Sequence, residues 1–238
     1  MRRYLYVAVF TLACIALIGS NSAESYSIVG VQFDGNTSGL IRTIQIPSQP
    51  NESVYMGPYG MKVPDPPTTT PESLWMCFDA TATITSGETW KALLTDTSGL
   101  VGLGWYSTNI NKISEIAWLT TQEAGKSASV LADINEAMWQ IMNSVTDTDS
   151  TISSRVNLNW VIPAMSHVAD FTDAEFLIPV ELNGSGSNCV MDGGNKYCQD
   201  TSSDRPQSFT RPVPEPGTLL LLGVGLLGGA AFVRRFRK

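Results

Sequence analysis

A run of 17 residues without a charged side chain, Gly217–Val233, sets the frame for everything before it in this 238-residue chain. As a helix rising about 1.5 Å per residue it would reach roughly 25 Å, the short end of a bilayer core. Val213, Pro214, Glu215, Pro216 and Gly217 lead into it, and Arg234, Arg235, Phe236, Arg237 and Lys238 follow it. Basic residues just beyond a spanning segment favour the cytoplasmic side. The pattern predicts a transmembrane helix over 217–233, a cytoplasmic tail over 234–238, and a far-side location for all that precedes Pro214.

The other end predicts export as well. Arg2 and Arg3 precede an apolar stretch from Tyr4 to Gly19, then small residues Ser20, Ser22 and Ala23. This is the order of a secretory signal peptide over residues 1–23, an N-terminal signal helix removed on export. Between the two ends lie all 22 acidic residues but only nine of the 15 basic ones, so the exported part carries a net −13. That balance argues against nucleic acid, which needs clustered Lys and Arg. It suits a soluble surface protein or one that binds divalent cations.

The exported part is long enough for one domain with a real core. Three cysteines remain in it, and export permits disulfides. Cys189 and Cys198 flank the turn formers Asp192-Gly193-Gly194-Asn195, which predicts a disulfide-closed loop within 183–200 and leaves Cys77 over.

Alternation predicts strands at 26–33 and 39–47, joined by a turn at Asp34-Gly35-Asn36. The clearest strand is Leu74–Ile84, with Leu74, Met76 and Phe78 on one face and Trp75, Cys77 and Asp79 on the other. Its Thr81, Thr83 and Thr85 would form a short row on one face. Helical spacing predicts helices at Ile113–Thr120 and Ser127–Val145. Val156–Ile162 and Phe176–Leu182 read as later strands, and 201–216 as a polar linker ending in the Pro-Glu-Pro motif. The fold class expected for the ectodomain, 24–182, is α+β: a β-sandwich or barrel with a small helical part.

Two resemblances add to this reading. The Val213-Pro-Glu-Pro-Gly217 motif, apolar helix and Arg-rich end resemble the PEP-CTERM sorting signal, a tail also labelled after an ice-binding protein. The resemblance implies an exosortase as partner, an inner-membrane-anchored precursor with a periplasmic ectodomain, and an end point at the cell surface or in the extracellular matrix, with exopolysaccharide as a further partner. In the body, Val54-Tyr-Met-Gly-Pro-Tyr59, Trp75-Met-Cys77-Phe-Asp79, Gly87-Glu-Thr-Trp90, Glu115-Ile-Ala-Trp-Leu119 and Ile134-Asn-Glu-Ala-Met-Trp139 follow in order. The set is similar to the thioester domains of surface adhesins, in which a strand cysteine condenses with a helix glutamine.

That resemblance places Cys77 on the cysteine and Asn135 on the glutamine. Asparagine holds its carbonyl about 1.5 Å nearer the backbone, and bond formation tolerates little misplacement. Two readings stand side by side: a thioester adhesin using Cys77 and Asn135, or a buried cysteine with Asn135 hydrogen-bonding beside it. Asp147 and Asp149 are calcium candidates without the Gly and terminal Glu of an EF-hand loop, so a calcium- or carbohydrate-binding module is a third reading. The lone histidine, His167, sits near Ser166 and Asp170, but a triad is assembled by geometry and not by adjacency. The chain thus reads as an exported, non-enzymatic surface protein without a cofactor.

Overall fold

A computed structural model describes residues 26–36, 39–63, 73–168, 174–202 and 204–213. Eleven strands occur among them: β1 (Tyr26–Asn36), β2 (Leu40–Gln45), β3 (Glu52–Met56), β4 (Pro58–Lys62), β5 (Ser73–Cys77), β6 (Thr89–Asp96), β7 (Thr146–Asp147), β8 (Ala174–Leu182), β9 (Cys189–Asp192), β10 (Asn195–Gln199) and β11 (Phe209–Pro212). Six of them run β11-β5-β4-β1-β6-β8, and β8 pairs back to β11. Every one of these pairings is antiparallel, so the sheet closes into a barrel without a free edge. β8 divides its outer edge, giving Ala174–Leu177 to β11 and Val180–Leu182 to the β10–β9 hairpin. A separate sheet runs β3-β2-β7.

Alternation along the strands builds two cores. Val29, Val31, Met61, Trp75, Cys77, Ala92, Leu177 and Phe209 share one cluster, and together they represent all six barrel strands. This is the barrel lumen. Met76, Phe78, Leu93, Phe176 and Ile178 point the other way, into a second cluster with the helices. Burying both faces of a strand gives the near-continuous apolar stretch seen at Trp75-Met-Cys-Phe78.

The helices are α1 (Thr97–Gly102), α2 (Ile110–Thr121), α3 (Ala128–Asn143), α4 (Ser150–Val156) and α5 (Ile162–Ala164). α3 is buried nearly all round: Ile134, Ala137, Met138 and Ile141 meet the helical core, while Ala132 and Trp139 turn into the lumen cluster. It therefore packs between the barrel and the rest, and the small β2–β3–β7 sheet leans on it.

The α+β, barrel-like class holds, as do helices near 113–120 and 127–145 and a strand near 176–182. Four expectations change. β1 and β2 are not a hairpin; β1 pairs with β4 and β6, and β2 lies in the other sheet. The strand expected over Leu74–Ile84 stops at Cys77. Asp79 Oδ1 there accepts from the Thr81 N–H at 3.1 Å and the Thr81 hydroxyl at 2.6 Å, a local turn that replaces the ladder. The Thr81, Thr83, Thr85 row therefore lies on a loop.

The stretch Val156–Ile162 is helical, not a strand: α4 runs into a π-helical turn, Asn157–Val161, and then α5. Ile152, Val156, Trp160 and Ala164 recur every four residues and all pack on the helical core, so the helical period wins over β-propensity. Finally, the expected linker 201–216 is not all spacer, because Phe209–Pro212 is the strand that closes the barrel. Among the described residues no helix is long and apolar enough to cross a membrane. The signal segment 1–23 and the spanning segment 217–233 lie outside the described residues.

Candidate functional site

Cys77 ends β5 inside the lumen, and Asn135 sits about two turns into α3. Although 58 residues apart, they meet. Asn135 Nδ2 donates to the Cys77 backbone carbonyl at 2.5 Å, and Asn135 Oδ1 accepts from the Gly57 N–H at 3.0 Å. Trp139, one turn on and on the same helix face, donates its Nε1–H to the same Cys77 carbonyl at 3.0 Å. Gly57 lies between β3 and β4 with φ of +136°, a conformation that a side chain would strain. That backbone turn is what presents its N–H to Asn135.

The Cys77 thiol is fully buried and donates to the Asp79 carbonyl at 3.3 Å. Burial pushes its pKa well above the ordinary thiol range, and the nearby Asp79 charge pushes in the same direction. Burial likewise raises the neighbouring Tyr59 phenol. The Asp79 carboxylate is itself taken up by Thr81 and by Arg205 Nη2 at 2.9 Å. The site thus holds a neutral thiol with no free base beside it, and thiolate is the form that attacks.

The other sequence candidates fall elsewhere. Cys189 and Cys198 are directly opposite each other in the β9–β10 hairpin and are joined by a disulfide. Gly193 and Gly194, at φ of +54° and +81°, make the tight turn between them. Asp147 and Asp149 do not converge on a shared cation site. Asp149 caps α4, its Oδ1 accepting from the Thr151 N–H at 2.8 Å, and this bond holds its carboxyl below the usual range. Asp147 Oδ1 accepts from the Asp149 N–H at 2.7 Å, and its Oδ2 lies 4.0 Å from Arg42 Nε. A guanidinium already stands where calcium would have to sit. Among the described residues no group of three or more His, Cys, Asp or Glu could hold a metal. His167 stacks on Trp118, with ring centroids 4.5 Å apart.

Two features had no sequence signal. One is a buried ion-pair network in which Arg42 of β2 contacts Asp133 and Glu136 of α3, with Arg155 also on Asp133 at 2.8 Å. The other is Gln207, which falls in the expected linker yet is buried at the barrel mouth.

Of the sorting residues, Val213 is described, and it follows β11 directly; Pro214, Glu215, Pro216 and Gly217 lie outside the described residues. The comparison with known families decides their reading. Residues 212–238 match the PEP-CTERM protein-sorting motif. This tail is a sorting signal. The PEP-CTERM motif is that of exported, membrane-anchored precursors processed by exosortases. It begins at Pro212, the last residue of the closing strand, so the signal abuts the barrel. No curated protein and no solved structure matches the chain.

Proposed function

We propose that this protein is an exosortase-processed surface or matrix protein whose barrel works as a non-covalent, non-enzymatic module. In this reading residues 1–23 direct export, 217–233 anchor the precursor in the inner membrane, and processing near Pro214–Pro216 delivers the barrel to the cell surface or matrix. The observation that carries the non-covalent part is the engagement of the Asn135 amide. Its oxygen and nitrogen are committed to the Gly57 N–H and the Cys77 carbonyl, so the side chain staples α3 to two strand ends. The neutral, enclosed Cys77 thiol supports the same reading. No catalytic set is assigned to the barrel in this reading, and no cofactor.

The thioester reading is supported by a different observation: Asn135 lies against the Cys77 backbone, its Nδ2 donating to the Cys77 carbonyl. There the sulfur would add to the Asn135 side-chain carbonyl carbon, the C–N bond would break, and ammonia would leave with the thiol proton. Intact mass of the protein recovered from cells separates the two. The non-covalent reading expects the full mass, no adduct with methylamine, and one free thiol after denaturation. Loss of one ammonia, or a methylamine adduct that Cys77→Ala abolishes, establishes the thioester instead.

A further inference from the structure

The helical segment from Ser150 to His167 is apolar on two sides. Ile152, Val156, Trp160 and Ala164 pack on the helical core. Away from it, Leu158, Ile162 and Met165 are 66%, 52% and 58% exposed. Their spacing, i, i+4 and i+7, puts them in one stripe. Exposed apolar side chains scattered singly are ordinary, but a contiguous row marks an interaction surface. Charge sets the stripe apart as well. Residues 150–169 hold no Asp or Glu, although the exported part carries 22. Arg155, the one Arg or Lys among them, is paired with Asp133. Most of this acidic protein is repelled by an anionic bilayer surface, and this face is not.

Helix α2 connects the stripe to the sorting tail. His167 stacks on Trp118 of α2, and two residues on, Thr120 meets Thr210 of β11, hydroxyl to hydroxyl at 3.2 Å. Thr210 lies three residues before Val213, and residues 214–216 separate Val213 from the apolar run that begins at Gly217. Even fully extended, Val213 to Gly217 covers at most about 14 Å. The headgroup layer on one side of a bilayer is itself about 5–7 Å thick. An anchor at 217–233 therefore keeps the barrel at the headgroups, and one of its faces must meet them. The acids at the tail-side rim are engaged: Asp96 accepts from the Ser98 hydroxyl and the Gly99 N–H, and Glu175 pairs with Arg211.

We propose that the Leu158, Ile162 and Met165 stripe docks on the bilayer that anchors the precursor. The three side chains enter the boundary between headgroups and acyl chains, with their helical segment lying in the membrane plane. Three side chains bury too little area to hold a free protein on a membrane. The anchor makes the contact intramolecular, so a weak patch suffices. Cleavage of the tail removes that advantage, and the stripe then lets go of the lipid. The proposal rests on 217–233 being the anchor of the precursor.

The test places the full chain, with its tail uncut and carrying Cys14→Ser, in nanodiscs of phosphatidylethanolamine and phosphatidylglycerol, with and without nitroxide-bearing lipids. A fluorescent dye is attached in separate variants to Ile162→Cys, Ile41→Cys or Leu222→Cys. Cys77 is buried and Cys189 is bonded to Cys198, so none of these takes the dye. Ile41, 64% exposed, is the distal control, since it pairs with Tyr55, which lies with Phe33 and Gln207 at the far rim. At about 3.3 Å per strand residue, Tyr26 to Phe33 puts the two rims roughly 23 Å apart. Dyes at 162 and 222 should lose emission to the nitroxide lipids, and the dye at 41 should lose none. Adding Leu158→Ser and Met165→Ser, both at exposed positions that the fold tolerates, should restore the emission at 162. Loss at 222 without loss at 162 overturns the docking and leaves the anchor standing. No loss at 222 overturns the anchor and the docking with it. Equal loss at 162 and 41, or loss at 162 that survives the double replacement, also overturns the docking. So does a dye at 162 shielded from aqueous iodide without loss to the lipids, because a second copy of the chain then covers the stripe.

Discussion

Asn135 shows how much one side chain carries. It satisfies a donor on Gly57 and an acceptor on Cys77, both buried, and so ties α3 to β5 and to the β3–β4 turn. Asn135→Ala strands the Gly57 N–H, while the Cys77 carbonyl keeps Trp139. An unsatisfied buried donor costs about 1–3 kcal/mol, and the lost packing adds to it. Chemical denaturation of the variant should show a loss of about 2–4 kcal/mol with an unchanged m-value. A second residue governs pH dependence. Part of Glu123 reaches the surface, but its Oε1 is enclosed without a partner, and burial raises its carboxyl from the usual 4.5 to about 8. The folded state therefore holds this proton more tightly than the unfolded chain does. Its contribution is fully present below pH 4.5 and is lost as pH rises through about 8. Unfolding free energies measured across that window should decline for the wild type, at up to about 1.4 kcal/mol per pH unit, and Glu123→Gln should remove that part of the slope. The Ala-Met-Trp139 segment was readable as a helix that packs, and Asn135 as a hydrogen-bonding neighbour of Cys77, but neither the burial of Glu123 nor the Gly57 partner of Asn135 could be read, because burial and pairing are set by segments distant in sequence.

At the scale of elements, the small β2–β3–β7 sheet is joined to α3 by charge as well as by apolar contact. Arg42 reaches Asp133, Glu136 and Asp147, and all four side chains are buried. Burial raises the Glu136 carboxyl, and Arg42 opposes that shift by favouring its charged form. Removing Arg42 leaves Glu136 and Asp147 without their cation in a dry site, while Asp133 keeps Arg155, so Arg42→Ala should cost about 3–5 kcal/mol in a thermal or denaturant melt. Arg42→Met paired with neutral partners at 133 and 136 should recover much of it. Helix positions were legible from their period. The stretch 156–162 misled because Val156, Leu158, Trp160 and Ile162 also alternate, and only packing against the helical core selects one period over the other. The strand from Leu74 was legible up to Cys77, where a side chain, Asp79, and not a Gly or Pro, ends it.

At the scale of the whole molecule, closure of the barrel depends on four residues next to the sorting signal. Phe209 places its ring in the lumen beside Tyr59 and Trp90, with centroids 5.6 and 6.3 Å away, while β11 joins β5 to β8. Deleting 214–238 should leave the melting temperature of the barrel unchanged by circular dichroism, whereas deleting from 209 onward opens two strand edges and uncovers the lumen, and no cooperative melt is expected. By itself the sequence determined the features that local composition sets: a sorting tail with its Pro-Glu-Pro motif, an acidic exported part, the cysteine pair around a Gly-Gly turn, and the helical and strand periods. Tertiary structure alone decided that a Pro-containing segment taken for a spacer is the closing strand, that Asp147 faces Arg42 and not a calcium ion, and that Asn135 holds the backbone carbonyl of Cys77. Each of these joins residues tens of positions apart, and periodicity along a chain carries no record of which distant edge, charge or carbonyl will lie opposite.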